Sequence, residues 1–179
     1  MTMPIAIGCD EAGFLLKEEL KRYLETEGYE VTDYGCYSTD PVDYPDVAVE
    51  VASAVAAGRH ERAVLICGTG IGMAIAANKV PGVYAANAHD PYSAARARMS
   101  NNAQVLSLGA RVVGTELAKT LVDVWLKSEF AGGGSLRKVQ KIQAAEQRQQ
   151  QLLRASRRSA SGPAASDAKP AASRKERAR

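Results

Sequence analysis

The chain has 179 residues, 46% of them hydrophobic and 24% charged, enough for one domain with a sizeable core plus an appendage. Its net charge of +3 is unevenly placed: residues 154–179 carry eight Arg or Lys and two acids, a net +6, which leaves −3 on the rest. A mildly acidic globular part argues against nucleic-acid binding. Three cysteines (9, 36 and 67) are too few and too widely spaced for a zinc site or a disulfide framework, so a reducing cytoplasm fits, and the apolar run 3–9 is too short for a signal peptide or a membrane span.

Pro4 to Cys9 reads as a buried parallel strand. Asp10 to Gly13 is a turn. Phe14 to Glu27 has helical spacing (Phe14, Leu15, Leu16, Leu20, Tyr23, Leu24), with Gly28 as its C-cap. Tyr29 to Tyr34 alternates as a second strand, and Gly35 to Tyr44 is a polar loop. Pro45 opens a helix over 46–58. Arg62 to Cys67 is the third strand, a helix follows over 73–79, and Gly82 to Ala86 is the fourth strand. Pro91 to Met99 is a helix, Ala103 to Leu108 the fifth strand, and Gly114 to Lys127 an amphipathic helix carrying Trp125. His60 falls in a polar helix-to-strand loop and is expected to be solvated. This β-α alternation predicts a right-handed, doubly wound α/β sheet whose ligands bind outside the carboxyl ends of the strands. Asp10, Cys67, residues 88–90 with His89, and residues 109–111 all fall at such ends.

Gly132, Gly133 and Gly134 form a hinge. Beyond it a polar helix over 135–154 carries a sparse apolar stripe, Leu136, Val139, Ile142 and Leu152. So narrow a stripe is expected to lie against another surface. The Ala/Ser/Pro/Lys/Arg composition after Ala155 predicts a disordered, solubilising basic tail. Three parts are therefore expected: an α/β domain over 1–131, a C-terminal helix over 132–155, and the tail over 156–179.

The chemistry concentrates in Val64-Leu-Ile-Cys-Gly-Thr-Gly-Ile-Gly-Met73. A buried strand ends at a thiol, three glycines follow at alternate positions, and a helix begins. Glycines let backbone N–H groups approach an anion closely, and a helix start adds partial positive charge. A P-loop needs Lys and Ser/Thr after the last glycine, where Met73 and Ala74 stand; the dinucleotide fingerprint needs a glycine at Met73. Free cysteines are commonly buried as small hydrophobes, but a strand end beside a helix start favours a reactive thiolate.

Gly8-Cys-Asp10, Asp43-Tyr-Pro45, Ile66-Cys-Gly-Thr-Gly-Ile-Gly72, Ala76-Ala-Asn-Lys79, Asn101-Asn-Ala-Gln-Val105 and Gly109-Ala-Arg-Val-Val-Gly114 together resemble the ribose-5-phosphate isomerase B family, which includes the galactose-6-phosphate isomerase subunits. The likeness runs over roughly the first 150 residues. It implies a flavodoxin-like three-layer fold with a five-stranded parallel sheet. It implies a homodimer or dimer of dimers whose active sites are completed across the interface by the C-terminal helix, with neither metal nor organic cofactor. Aldose–ketose interconversion moves a proton between adjacent carbons through an enediolate, so a base and oxyanion donors are required. By resemblance Cys67 is the base, with Asp10 and Thr69 as further catalytic groups. The backbone of Gly68, Gly70, Ile71 and Gly72 forms the anion hole. Glu11, Tyr44, Ser100 and Asn101 contact substrate, and Arg111, Arg137 and Lys138 hold phosphate. Some family members use a glutamate where Met73 stands. Many have an arginine where Gly134 stands.

Two departures bear on the substrate. Members acting on ribose 5-phosphate usually have histidine at the positions of Glu11 and Ser100, for ring opening and proton shuttling. A tetrose 4-phosphate has its carbon-4 oxygen esterified and closes no furanose, so it needs no ring opener. Ser100-Asn-Asn-Ala-Gln104 is similar to the erythrulose-4-phosphate isomerases of this family. D-erythrulose 4-phosphate is therefore the expected substrate, with ribose 5-phosphate as the alternative. A non-catalytic phosphate-binding protein is the competing class, against which Cys67, Thr69, Asn101 and Arg111 at one rim argue.

Overall fold

The computed structural model describes residues 4–160. The elements are β1 (Ile5–Cys9), α1 (Phe14–Thr26), β2 (Val31–Asp33), α2 (Tyr44–Ala56), β3 (Ala63–Cys67), α3 (Ile71–Ala77), β4 (Ala85–Asn87), α4 (Pro91–Asn101), β5 (Val105–Gly109), α5 (Thr115–Leu126) and α6 (Gly133–Ala160). The strands form one parallel sheet in the order β2-β1-β3-β5-β4. This is the doubly wound α/β sheet that the alternation predicts, in the flavodoxin-like form that the family resemblance implies.

Alternation along the central strands divides two cores. Val64 and Ile66 of β3 face α1, α4 and α5, where Leu20, Leu121 and Trp125 are fully buried. Ala63, Leu65 and Cys67 face the other way, onto α2 and α3, with Val51, Ala52, Met73 and Ala77. A strand covered on both faces is apolar throughout, as in Ala-Val-Leu-Ile-Cys of β3. The same alternation turns the Cys67 side chain toward the start of α3.

The edge strands are shorter than the pattern predicts: β2 and β4 keep three residues each, against Tyr29–Tyr34 and Gly82–Ala86. Each pairs on one side only, so the ends of the apolar runs peel into loops. Helix α3 starts at Ile71, directly after Gly70, rather than at Met73. Helix α6 continues past Ala155 to Ala160, while residues 161–179, where most of the expected tail falls, lie outside the described residues. The α/β unit reaches Gln143, and a second unit begins at Ala144. Among the described residues no helix is long and apolar enough to cross a membrane.

His60 corrects an expectation. It is 5% exposed rather than solvated. Its Nδ1–H donates to the Pro4 carbonyl at 2.7 Å, and the Tyr34 hydroxyl donates to Nε2 at 2.8 Å. The turn before β3 tucks this ring under the start of β1, where both nitrogens find partners.

A buried charge pins the end of β2 to α1. Lys17 is fully buried, and its Nζ donates to Asp33 Oδ1 and Oδ2 at 2.9 and 2.8 Å and to the Cys36 carbonyl at 2.9 Å. Burial alone would raise the Asp33 carboxyl, but Lys17, the Gly35 amide and Lys21 outweigh it and hold it below the usual range. Burial would likewise lower Lys17, but its bonds to Asp33 and Glu18 leave it raised.

Candidate active site

Three chain segments meet at the carboxyl end of the sheet because β1, β3 and β5 are neighbours there. The turn after β1 brings Asp10, the loop after β3 brings Cys67 to Gly72, and the turn after β5 brings Arg111. The backbone ties the last two together: Ala110 N donates to the Cys67 carbonyl at 2.8 Å and Arg111 N to the Gly68 carbonyl at 3.0 Å. Asp10 N donates to the Ile66 carbonyl at 3.1 Å. Between them opens a cleft of about 460 Å³.

Asp10, Cys67, Gly68, Thr69, Ile71, Gly72 and Arg111 line this cleft, and Tyr44 closes it from the first turn of α2. The Tyr44 ring packs on Gly72 so closely that a Cβ there would lie 2.6 Å from a ring carbon. Ile75, one turn along α3, adds an apolar wall that sequence reasoning missed. Its signal was present: it stands one helical turn after Ile71, so it shares that residue's face.

Cys67 is 5% exposed, and its Sγ accepts the Gly70 N–H at 3.0 Å. Gly70 itself lies beneath the loop rather than on the cleft wall. Its φ of +77° is the left-handed region, and an added Cβ would sit 2.8 Å from the Leu108 carbonyl carbon. The loop therefore needs a glycine here for two independent reasons, and the Gly70 N–H is engaged by the thiol rather than turned to the cleft. Asp10 is 8% exposed, with Oδ1 accepting the Gly13 N–H at 3.0 Å. Burial pushes its carboxyl above the ordinary range, the Gly13 amide opposing. A carboxyl so poised holds its proton more readily than a solvated one.

The remaining expected residues lie apart from this wall. Glu11 Oε2 accepts the Val42 N–H at 3.2 Å and thereby anchors the loop before α2. His89 Nε2 accepts the Gly109 N–H at 3.0 Å, so its ring supports the end of β5. Ser100 and Asn101 end α4, and Arg137 and Lys138 lie on the first turns of α6. Arg137, Lys138 and Asn101 are exposed, and none of the four lines the cleft.

A cleft of about 460 Å³ at the carboxyl ends of a doubly wound sheet, lined by a glycine loop, a guanidinium and a held thiol, marks an α/β enzyme of small anionic substrates. Comparison with known proteins makes this specific. The model of the Ribose/Galactose Isomerase family matches residues 5–142, and the chain belongs to this family of sugar-phosphate isomerases, enzymes that interconvert aldoses and ketoses. The D-erythrulose-4-phosphate isomerase of Pectobacterium atrosepticum is 56% identical over 142 residues, 78% of this chain and 93% of that protein. The ribose-5-phosphate isomerase B of Escherichia coli is 49% identical over 144 residues, 80% of this chain and 97% of that one. Among solved structures, ribose-5-phosphate isomerase B of Clostridium thermocellum superposes with a TM-score of 0.80 at 48% identity, covering 82% of this chain and 99% of that one.

Proposed function

We propose that this chain is a cytoplasmic enzyme that interconverts D-erythrulose 4-phosphate and D-erythrose 4-phosphate. Cys67 removes a proton from carbon 1 of the ketose. The Thr69 hydroxyl and the loop amides other than that of Gly70, which holds the Cys67 sulfur, stabilise the enediolate oxygen; the O1 hydroxyl proton passes to O2, and the carbon-bound proton returns to carbon 2. Arg111 binds the phosphate. Arg137, Lys138, Ser100 and Asn101 reach the cleft from the partner subunit of a homodimer, which accounts for their absence from its wall within one chain. General-base catalysis and oxyanion stabilisation are what the thiol and the glycine loop supply.

The observation that carries this reading is the composition of the cleft wall. Its ionisable groups are Asp10, Tyr44, Cys67 and Arg111, and no histidine lines it. Glu11 and Ser100 stand where ring-opening histidines would be, Glu11 is tied to Val42, and His89 Nε2 is engaged by Gly109. A furanose phosphate must then open in solution before it reacts, whereas a four-carbon 4-phosphate is already open. The similarity to a D-erythrulose-4-phosphate isomerase supports the same choice. The alternative substrate is ribose 5-phosphate, favoured by the similarity to ribose-5-phosphate isomerase B.

The test is a panel of tetrose, pentose and hexose phosphates scored by kcat/KM. Erythrulose 4-phosphate is expected to exceed ribose 5-phosphate by about 10², one acid–base group's contribution. Glu11→His with Ser100→His is expected to raise ribose 5-phosphate turnover and leave the tetrose reaction nearly unchanged. Comparable wild-type rates on the two substrates assign the enzyme to ribose 5-phosphate. No isomerisation of any sugar phosphate points to a non-catalytic phosphate-binding protein.

A further inference from the structure

The Cys67 sulfur is held by one peptide group, and that peptide is itself held from behind. The unit joining Thr69 to Gly70 points its N–H at Cys67 Sγ, 3.0 Å away. Its carbonyl, on the opposite side of the same planar group, accepts Asn87 Nδ2–H at 3.0 Å. The next carbonyl along the loop, that of Gly70, accepts the buried Ser107 hydroxyl at 2.6 Å. Asn87 and Ser107 are register partners on β4 and β5, so one cross-strand pair grips two consecutive peptides of the loop.

We propose that Asn87 is a positioning residue for Cys67, gripping through the Thr69 carbonyl the peptide whose N–H holds the thiol sulfur. The peptide bond is planar, so fixing its oxygen fixes the direction of its hydrogen. A donor on the carbonyl also polarises the amide, which strengthens the bond the N–H makes on the other side. Gly70 is part of the same device: a Cβ at this position would run into Asn87 Nδ2, so the absent side chain leaves the space in which the Asn87 amide sits. The role deepens the reading of Cys67 as the base and rests on that reading only for its effect on turnover.

The test uses the full chain carrying Asn87→Asp, which keeps the volume and replaces the donor with an acceptor. Iodoacetamide labelling of Cys67 is followed by peptide mass spectrometry at neutral pH, native and in urea, beside kcat and KM for the sugar phosphate. Native alkylation is expected to slow about fivefold, the size of one lost hydrogen bond, with equal rates in urea. The expected kinetic signature is a fall in kcat of the same order with KM within about twofold, the size of that same bond's effect falling on turnover alone. Asp10, Tyr44 and Arg111, which share the cleft with Cys67, are left unaltered. If Asn87→Asp does not fold by circular dichroism, Asn87→Ala, smaller and uncharged, decides the matter by the same readings. Unchanged native alkylation in a folded variant overturns the proposal, as does a raised KM at wild-type kcat, which would make Asn87 a substrate contact. Alkylation needs no substrate, so its rates decide the role of Asn87 even in a protein inactive on every sugar phosphate.

Discussion

Cys67 is where local geometry meets chemistry. It ends a strand whose other residues are fully buried, yet its sulfur reaches the cleft because the chain turns at Gly68 and Gly70 rather than continuing straight. Cys67→Ser changes volume and polarity little, so the fold should persist by circular dichroism. Isomerase turnover should fall by about 10²–10⁴, because a hydroxyl supplies no usable base near neutral pH. A variant that keeps a third of wild-type turnover would remove Cys67 from the role. Asp10 behaves differently: burial raises its carboxyl, so it gives up its proton less readily than a solvated one.

Two elements can be tested independently of catalysis. The first is the glycine loop. Gly70→Ala forces a left-handed backbone on a residue with a Cβ and drives that atom against Leu108 and Asn87. A loss of about 2 kcal/mol or more in urea unfolding is expected, together with near-complete loss of activity. A stable, active Gly70→Ala protein would show that the loop relaxes freely and that its geometry is not required.

The second element is the β2 end, held to α1 by Lys17 and Asp33. Lys17→Met leaves a mostly buried carboxylate with Lys21 and the Gly35 amide alone, and should cost about 3 kcal/mol or more. The pH dependence follows from the directions of the shifts. Asp33 is depressed below its ordinary 3.8, so its contribution is complete above that pH and lost as the pH falls through the lower folded value. Lys17 is raised above its ordinary 10.5, so its contribution is complete below that pH and lost as the pH rises through the higher folded value. Urea unfolding of the wild type should therefore weaken on both flanks, and Lys17→Met should flatten the acid flank. An unchanged acid flank in the variant would place the proton uptake elsewhere.

At the scale of the whole molecule, the cleft of one chain holds a single guanidinium, that of Arg111, while Arg137 and Lys138 stand exposed on α6. Truncation before Gly132 is expected to give monomers or inactive dimers by light scattering and assay. A fully active truncated enzyme would show that α6 supplies nothing to the site. Truncation after Ala155 should leave activity unchanged, and a loss would give the basic tail a catalytic or assembly role.

Composition and periodicity were enough to order every strand and helix, because each element's apolar spacing is a local property and the two periods differ. The glycine loop and Cys67 were legible for the same reason: a turn that needs positive φ or close backbone approach selects glycine whatever surrounds it. What the line of residues could not determine was set by contacts between distant segments. His60 read as solvated until the fold placed Tyr34 and the Pro4 carbonyl beside it. Asn87 has no signal of its own in the sequence, because its bond to the Thr69 carbonyl depends on β4 lying beside β5 and on Gly70 having no side chain. The lengths of β2 and β4 depended on their being edges. Hydrogen-bond partners and edge positions are properties of the assembled sheet, and tertiary structure alone decides them.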